Sequence, residues 1–208
     1  MIAYAKEPSW SPDGSALAYE GGLANGDRHS KLPLGVFLAR PDGQGRREIA
    51  RGGFPSWSPN RKLIAFYALS RSGGHIGLHI VRPNGMNERQ VARTEPAFAW
   101  SPDGTKLAFI TSGVSEWLDV VSMPSGRRHR VGPAYLADPG GIAWSPDGSK
   151  LAWVMYDYRR NEHRLLIAAA AGSEKPIELV HTPPRYRIWT PVFTADGTRV
   201  LYSLVYLR

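Results

Sequence analysis

The sequence contains no cysteine, which excludes disulfide bridges, thiolate metal sites and cysteine nucleophiles. It also lacks a long apolar run: the longest stretches, 165–171 and 200–207, fall far short of the roughly 20 residues that a membrane-spanning helix needs. We therefore expect a soluble chain without a membrane span. At 208 residues, the chain is long enough to bury a substantial core without disulfides or metals.

Acidic residues are in the minority, with 18 Asp and Glu against 26 Lys and Arg and a formal net charge of +8. A basic excess favours anionic partners, but it also serves solubility alone, so nucleic acid is not the expected partner. Residues 1–7 have neither the charged start nor the apolar run of about 7–15 residues that a secretory leader requires. The expected location is cytoplasmic by default, or periplasmic if the N-terminus is truncated.

A W-S-P-D-G motif recurs five times, with its aromatic anchors roughly 43–49 residues apart. The copies occupy 8–19, 55–66, 98–109, 142–153 and 191–202. This period matches the length of a four-stranded propeller blade. The expected structural anchors of the repeat are Trp10, Asp13, Gly14, Trp57, Trp100, Asp103, Gly104, Trp144, Asp147, Gly148, Phe193, Asp196 and Gly197.

The Ser-Pro-Asp-Gly series predicts a tight turn between antiparallel strands. Proline presets the backbone of a turn, aspartate bonds back to the backbone, and glycine accepts left-handed geometry, whereas the same residues break a helix. Two copies depart from the pattern, with Asn60-Arg61 in the second and Thr194-Ala195 in the fifth. We expect the turn at Arg61 either to differ in type or to carry a strain of about 1 kcal/mol.

Each of the first four repeats contains four short segments with strand-like patterns, separated by turn residues. We therefore predict an all-β fold: a β-propeller of four-stranded antiparallel blades, with four complete repeats and a partial fifth. The whole chain, 1–208, is expected to form a single domain. The blades are expected at about 6–52, 53–95, 96–138, 139–186 and, in part, 187–208.

The fifth repeat reaches only its second strand, at 200–208. Residues 2–5 could pair with it to close a five-bladed ring; alternatively, the chain is a fragment of a larger propeller. If left exposed, the apolar segment 201–207 would be a site for strand pairing and aggregation, so we expect another segment to cover it.

At these residues the sequence resembles the WD40-like repeats, often called PD40 repeats, of the TolB family. It also resembles the propeller domains of prolyl oligopeptidase and dipeptidyl peptidase relatives. The resemblance covers nearly the whole chain, and it implies the blade architecture. The motif is shared by proteins of unrelated activity.

The sequence offers no recognisable catalytic constellation. It has no G-x-S-x-G elbow and no phosphate-binding glycine loop followed by a helix. Its six histidines lack metal-ligand spacing, although His75 and His79 would share one face of a strand. The residues just before the anchors supply one carboxylate, Glu7, and no histidine. We therefore predict no catalytic residue, no metal site and no cofactor.

Several arginines fall at or within the fourth strand of successive repeats. A rim of arginines could dock an acidic partner, or it could protect edge strands from pairing. The members of this set are Arg46, Arg47, Arg89, Arg127, Arg128 and Arg130.

The functional hypothesis is a non-enzymatic, TolB-like propeller that acts as a scaffold for a protein or peptide. This partner is expected to be acidic if arginines make the contact. Loops 21–34 and 156–163 are the expected contact segments, because recognition residues concentrate on loops. The candidate binding residues are Arg28, His29, Arg159 and Arg160. One alternative is an accessory propeller of a serine peptidase or other hydrolase whose catalytic domain is absent from this chain. Another is a sugar- or polyanion-binding enzyme with a site in the central channel.

Overall fold

A computed structural model describes residues 2–23, 34–70, 74–111, 113, 115–123, 125–134 and 141–206. Within these ranges every regular element is a β-strand. None of these segments forms a helix of the length and apolarity that a membrane crossing requires. The chain divides into two compact units, residues 1–96 and 97–208.

The first unit contains one continuous sheet whose seven strands follow one another in chain order. Its strands are β1 (Ile2–Trp10), β2 (Leu17–Leu23), β3 (Gly35–Ala39), β4 (Arg47–Trp57), β5 (Ile64–Leu69), β6 (His75–Val81) and β7 (Arg89–Ala92). The long strand β4 serves two repeats: Arg51 pairs with Gly35 of β3, and Gly52 pairs with Ala68 of β5. Gly52 is required there, because a Cβ would lie 2.1 Å from the Tyr67 carbonyl oxygen.

Strand β8 (Thr94–Trp100) begins at the end of the first unit, and the other strands belong to the second. These are β9 (Lys106–Thr111), β10 (Trp117–Ser122), β11 (Arg128–Pro133), β12 (Ile142–Trp144), β13 (Lys150–Asp157), β14 (Glu162–Ala169), β15 (Ile177–His181), β16 (Tyr186–Phe193) and β17 (Val200–Tyr206). They form two four-stranded sheets, in the orders β11-β10-β9-β8 and β12-β13-β14-β15, and the two-stranded sheet β16-β17. The predicted all-β architecture of four-stranded antiparallel blades with a partial last repeat is therefore confirmed. The single domain and its blade boundaries stay predictions.

The second strands of the second, third and fourth repeats, β5, β9 and β13, are mostly buried and contribute to the cores of the two units. Ala65, Ala108 and Ala152, at equivalent positions of these strands, are completely buried. Larger buried side chains follow these alanines along the strand, such as Phe66 after Ala65 and Trp153 after Ala152. The small residue is therefore fixed by close packing around the strand, where a larger side chain would overpack the core.

The Ser-Pro-Asp-Gly turns share one hydrogen-bond pattern. In the third copy, the Gly104 N–H donates to the Ser101 carbonyl (2.8 Å). Asp103 Oδ1 accepts from the Ser101 hydroxyl (2.6 Å) and from the Thr105 N–H (2.9 Å). The glycine has a φ of 65°, a left-handed conformation that glycine adopts without a steric penalty.

The second copy keeps the same turn despite its different residues. Arg61 has a φ of 63° and donates its N–H to the Ser58 carbonyl. Asn60 Oδ1 takes the place of the aspartate oxygen and accepts from the Ser58 hydroxyl and the Lys62 N–H. Of the two expectations for this turn, a change of type is wrong, and Arg61 occupies the left-handed position.

The last repeat contributes only β16 and β17. Residues 2–5 continue β1 and pair with β2, from Ile2 opposite Leu23 to Ala5 opposite Gly21. The closing of a ring by residues 2–5 stays a prediction. Strand β17 is exposed along nearly its whole length, and a segment that covers it stays a prediction.

Candidate interaction surface

The predicted contact segment 156–163 forms the tip of the β13–β14 hairpin. Asp157 lies opposite Glu162 in the ladder, so that residues 158–161 make a four-residue loop. The four loop residues are all exposed, including the candidate binding residues Arg159 and Arg160. The structure therefore places these two arginines side by side at the end of a two-stranded element.

Asp157 organises this loop through its carboxylate. Its Oδ1 accepts from the backbone N–H of Arg159 (3.0 Å) and of Arg160 (3.3 Å). Asn161 then adopts a φ of 56°, and its side-chain oxygen accepts a hydrogen bond from the Tyr156 hydroxyl. Asparagine tolerates this left-handed conformation better than most residues. The loop is consequently held by its own polar side chains.

The base of the hairpin is tied to the neighbouring strand β15. Arg164 Nη1 lies 3.1 Å from Glu178 Oε2 on β15, and its Nη2 lies 3.2 Å from Asp157 Oδ2. The His163 N–H donates to Thr182 Oγ1, just beyond β15, over 3.1 Å. These contacts couple the turn-forming carboxylate to the sheet, which limits the movement of the tip.

The hairpin tip carries two adjacent arginines. Arg164 is surrounded by carboxylates, whereas neither Arg159 nor Arg160 makes an ion pair with any residue that the structure describes. Beside them, the ring of Tyr158 is 55% exposed and packs edge-to-face on Tyr156 at 4.7 Å. Guanidinium groups bind carboxylates through two parallel hydrogen bonds, and an exposed tyrosine supplies rigid contact area. Guanidinium groups and an exposed aromatic ring are therefore the groups that the tip offers for contact.

The other two candidate residues, Arg28 and His29, fall in 24–33 and lie outside the described residues. Their proximity to any other surface remains a prediction.

The arginines of the fourth strands have nearby partners in several cases. Arg128 Nε lies 2.6 Å from Asp119 Oδ2 and its guanidinium covers the ring of Phe109 at 4.8 Å. Arg130 approaches the same aspartate and stacks on Trp117 at 4.0 Å. These contacts neutralise the buried Asp119 carboxylate, so the two guanidiniums are less available to a partner than those at the hairpin tip.

On β6, the ring of His79 is hydrogen-bonded to a carboxylate. His79 Nδ1 lies 2.9 Å from Glu88 Oε1, and the side chain of His75 is outside what the structure describes. Over the described part of the chain, no three His, Cys, Asp or Glu side chains come close enough together to hold a metal ion.

A buried carboxylate, Glu20, was missed by the sequence analysis. It is completely buried on β2; Lys6 Nζ lies 3.0 Å from its Oε1, and the Phe54 N–H donates to its Oε2 (3.3 Å). Its surroundings include two ladder irregularities, where Glu7 and Phe54, each preceding a proline, have positive φ. The only sequence signal was a charged residue directly after the apolar segment 17–19.

Two of the repeat turns border an open cleft of about 340 Å³ in the second unit. Hydrogen bonds from the Ser101 hydroxyl and from Thr105 lower the pKa of Asp103 to about 2, and equivalent bonds from Ser145 and Ser149 lower the pKa of Asp147 to about 2. Both carboxylates are therefore charged at neutral pH. Their oxygens already accept hydrogen bonds within the turns, which leaves these two carboxylates less capacity to bind a ligand.

No protein-family model matches the chain. A segment of 59 residues, 27% of the chain, is 39% identical to the Tol-Pal system protein TolB of Zymomonas mobilis, and it spans 13% of that protein. The solved TolB of Acinetobacter baumannii matches 80% of the chain with a TM-score of 0.59 and 16% identity, and the chain covers 41% of it.

Propellers with other roles match equally well. An oligogalacturonate lyase in complex with manganese matches 94% of the chain with a TM-score of 0.70 and 12% identity, and the chain covers 60% of it. The nidogen/laminin complex matches 96% of the chain with a TM-score of 0.62 and 13% identity, over 71% of the solved chain. At these identities the likeness shows the fold and no activity. The repeat, its four-stranded sheets and these similarities together show that the chain has a β-propeller fold that is similar to that of TolB.

Proposed function

We propose that this chain is a non-enzymatic binding scaffold that captures an acidic protein or peptide segment at the β13–β14 hairpin tip. The observation that carries the proposal is the pair of exposed arginines, Arg159 and Arg160, on a loop whose backbone is held by Asp157. Arg28 and His29 stay a sequence-based prediction.

The chemistry of the tip supports a protein partner. Arginine and tyrosine are enriched among the residues that dominate binding energies at protein interfaces. Tyr158 supplies an exposed ring next to the two guanidiniums, and its packing on Tyr156 reduces the conformational freedom that binding would remove. A rigid hairpin that presents two cations and a ring suits a segment in which carboxylates flank an apolar residue.

The comparisons are compatible with this proposal. The name of one relative assigns TolB to the Tol-Pal system, and one solved neighbour is a complex of nidogen with laminin. Another neighbour is an oligogalacturonate lyase, so the fold alone decides neither binding nor catalysis. An accessory role beside a hydrolase domain on a longer chain stays a prediction of the sequence.

The test is a selection of phage-displayed random dodecapeptides on the immobilised chain. We expect the enriched peptides to contain Asp or Glu next to an apolar residue. For a synthetic copy of the most enriched peptide, Arg159→Glu with Arg160→Glu should weaken binding at least about tenfold, because charge-assisted hydrogen bonds contribute about 1.5–3 kcal/mol each.

The matched control is Arg40→Glu with Arg82→Glu, which changes the net charge equally at two exposed turn positions. Control binding that stays close to that of the unmodified chain would show a local effect. Equal losses in both variants, or enriched peptides without acidic residues, would overturn the proposal. Arg28→Ala with His29→Ala, measured separately, tests the remaining predicted contacts.

A further inference from the structure

In the first unit, an arginine joins the turns of two successive repeats. Arg61, in the turn of the second repeat, donates from Nη1 to Asp13 Oδ2, in the turn of the first repeat, over 2.5 Å. Its backbone holds the left-handed conformation that glycine has in the other four copies of the turn. A side chain at this position of one turn therefore reaches the carboxylate of the preceding turn.

The equivalent pair of turns in the second unit, those of the third and fourth repeats, has a cleft instead. Gly148 stands at the position of Arg61, and Asp103 stands at that of Asp13. The two turns are adjacent, since a Cβ on Gly148 would lie 3.7 Å from the side chain of Pro102. Because Gly148 has no side chain, the open space of about 340 Å³ remains between them.

The carboxylate of Asp103 keeps the capacity to accept one further donor. Within its turn it accepts three hydrogen bonds, from the Ser101 hydroxyl and from the N–H and the hydroxyl of Thr105. Asp13 also accepts three bonds from residues of its own turn, and it accepts the bond from Arg61 in addition. The turn hydrogen bonds therefore leave room for one guanidinium on such a carboxylate.

The charge of the cleft also favours a cation. Two of the residues that line it, Asp103 and Asp147, are carboxylates, and a third, Lys106, is a cation. Their pKa values of about 2 keep both carboxylates ionised at neutral pH, so Lys106 balances only one of the two negative charges. The first pair of turns has Ala16 at the position of Lys106, and there Arg61 supplies the cation.

We propose that this cleft binds the guanidinium group of an arginine side chain on a protein or peptide partner, as the turn of the first repeat binds Arg61. A guanidinium is planar and has several N–H donors, which suits a site with more than one carboxylate. Pro102 and Pro146 line the same space and offer apolar surface to the stem of the arginine. The site goes beyond the proposed function, because it takes a basic group and lies apart from the hairpin tip.

The first test is a nuclear magnetic resonance titration of the chain with N-acetyl-arginine methylamide. We expect saturable shifts of the amide signals of Thr105 and Ser149, whose N–H groups bond to the two carboxylates. The dissociation constant should be millimolar, because an exposed ion pair is weak. The lysine analogue should bind at least about threefold more weakly. Shifts that do not saturate, or equal binding of the lysine analogue, would overturn the proposal.

The second test, Gly148→Arg, supplies the guanidinium from the chain itself. Gly148 has a φ of 70°, close to the 63° of Arg61, which shows that this kind of turn accepts an arginine. We expect the variant to lose binding of the arginine analogue. Gly126→Arg, at another left-handed turn glycine with open space around it, should keep the binding. Undiminished binding in Gly148→Arg, or an equal loss in Gly126→Arg, would overturn the proposal.

Two further variants change the charge of the cleft in opposite directions. Asp103→Asn removes a negative charge but keeps an oxygen for the turn, as Asn60 does in the second repeat, and it should weaken binding at least about threefold. Lys106→Ala removes the competing cation and should strengthen binding about twofold to threefold. Unchanged binding in both variants would contradict the site. None of these measurements involves the hairpin tip, so their outcome is independent of the proposed function.

Discussion

At the residue scale, two different types of side chain make the same hydrogen bonds in the repeat turns. Asp103 and Asn60 each present one oxygen to a serine hydroxyl and to a backbone N–H two residues on. These contacts span few residues, so the sequence alone suggested them. The role of Glu20 could not be found in this way. Glu20 accepts a hydrogen bond from the N–H of Phe54, which is distant in sequence and comes close only through the pairing of strands β1 to β4.

Arg61→Gly tests the strain in the second turn. The arginine holds a left-handed conformation that costs a non-glycine residue about 1–2 kcal/mol, and its side chain recovers a part by an exposed ion pair with Asp13. We expect the substitution to raise the free energy of unfolding by up to about 1 kcal/mol. Urea denaturation measures this, and a decrease would show that the ion pair outweighs the strain.

Lys6→Met tests the ion pair of the buried Glu20 carboxylate. The substitution keeps the length of the side chain but leaves the carboxylate without its cation. Because Lys6 is half-exposed, water replaces it in part, and we expect a loss of about 1–2 kcal/mol in the free energy of unfolding. Lys62→Met, at an exposed turn position, is the control and should change little. Equal effects in urea denaturation would contradict this role for Lys6.

At the scale of the element, the β13–β14 hairpin illustrates what sequence can and cannot predict. Asp157 and Asn161 are turn-forming residues, so the loop and its exposed arginines could be placed from the sequence. The attachment of its base could not, because Arg164 and His163 contact Glu178 and Thr182 across the β14–β15 pairing. That pairing contains an irregularity between Leu165 and Leu166, which shifts the register that simple alternation would give.

Asp157→Ala tests whether the loop geometry, and not only its charge, supports binding. The substitution keeps both arginines but removes the oxygen that accepts from their backbone N–H groups. We expect affinity for the selected acidic peptide to fall about three- to tenfold by calorimetry, because binding must then order the loop. Asp157→Asn retains one oxygen and should restore most of the affinity. Glu174→Ala, which removes an exposed acid elsewhere, controls for charge, and an equal effect there would contradict the positioning role.

At the scale of the whole molecule, the repeat made the fold predictable from the sequence. Five phased copies of one turn specify the strands around them, and the period specifies the four-stranded sheets. The partner of residues 2–5 was not predictable in the same way, because the segment lies before the first copy and its pairing with β2 depends on strand extension beyond the repeat. The same holds for the division into two compact units, which no composition change marks.

The pKa values of the turn carboxylates predict how the stability of the fold responds to acid. Hydrogen bonds hold the pKa values of Asp103, Asp147 and Asp196 at about 2, below the ordinary 3.8. A carboxylate whose pKa is lower in the folded state than in the unfolded state stabilises the fold at pH values above its ordinary pKa. This stabilisation is lost as pH falls from about 4 to about 2. We therefore expect the free energy of unfolding to decline in this window.

The matched variant replaces these three aspartates with asparagine, the residue that the second repeat already uses at this position. Between pH 4 and 2, the free energy of unfolding of this variant should fall less steeply than that of the unmodified chain. Urea denaturation at each pH measures this. Identical slopes would show that other carboxylates control the acid response.

Binding of an acidic segment at the hairpin tip should protect the backbone of the tip from exchange with solvent. Amide hydrogen exchange of the chain, with and without the peptide selected on it, tests this most directly, because it locates the bound surface without any substitution. We expect slower exchange across 156–163, with little change at the repeat turns. Protection confined to the turns around Asp103 and Asp147, with 156–163 unchanged, would contradict it.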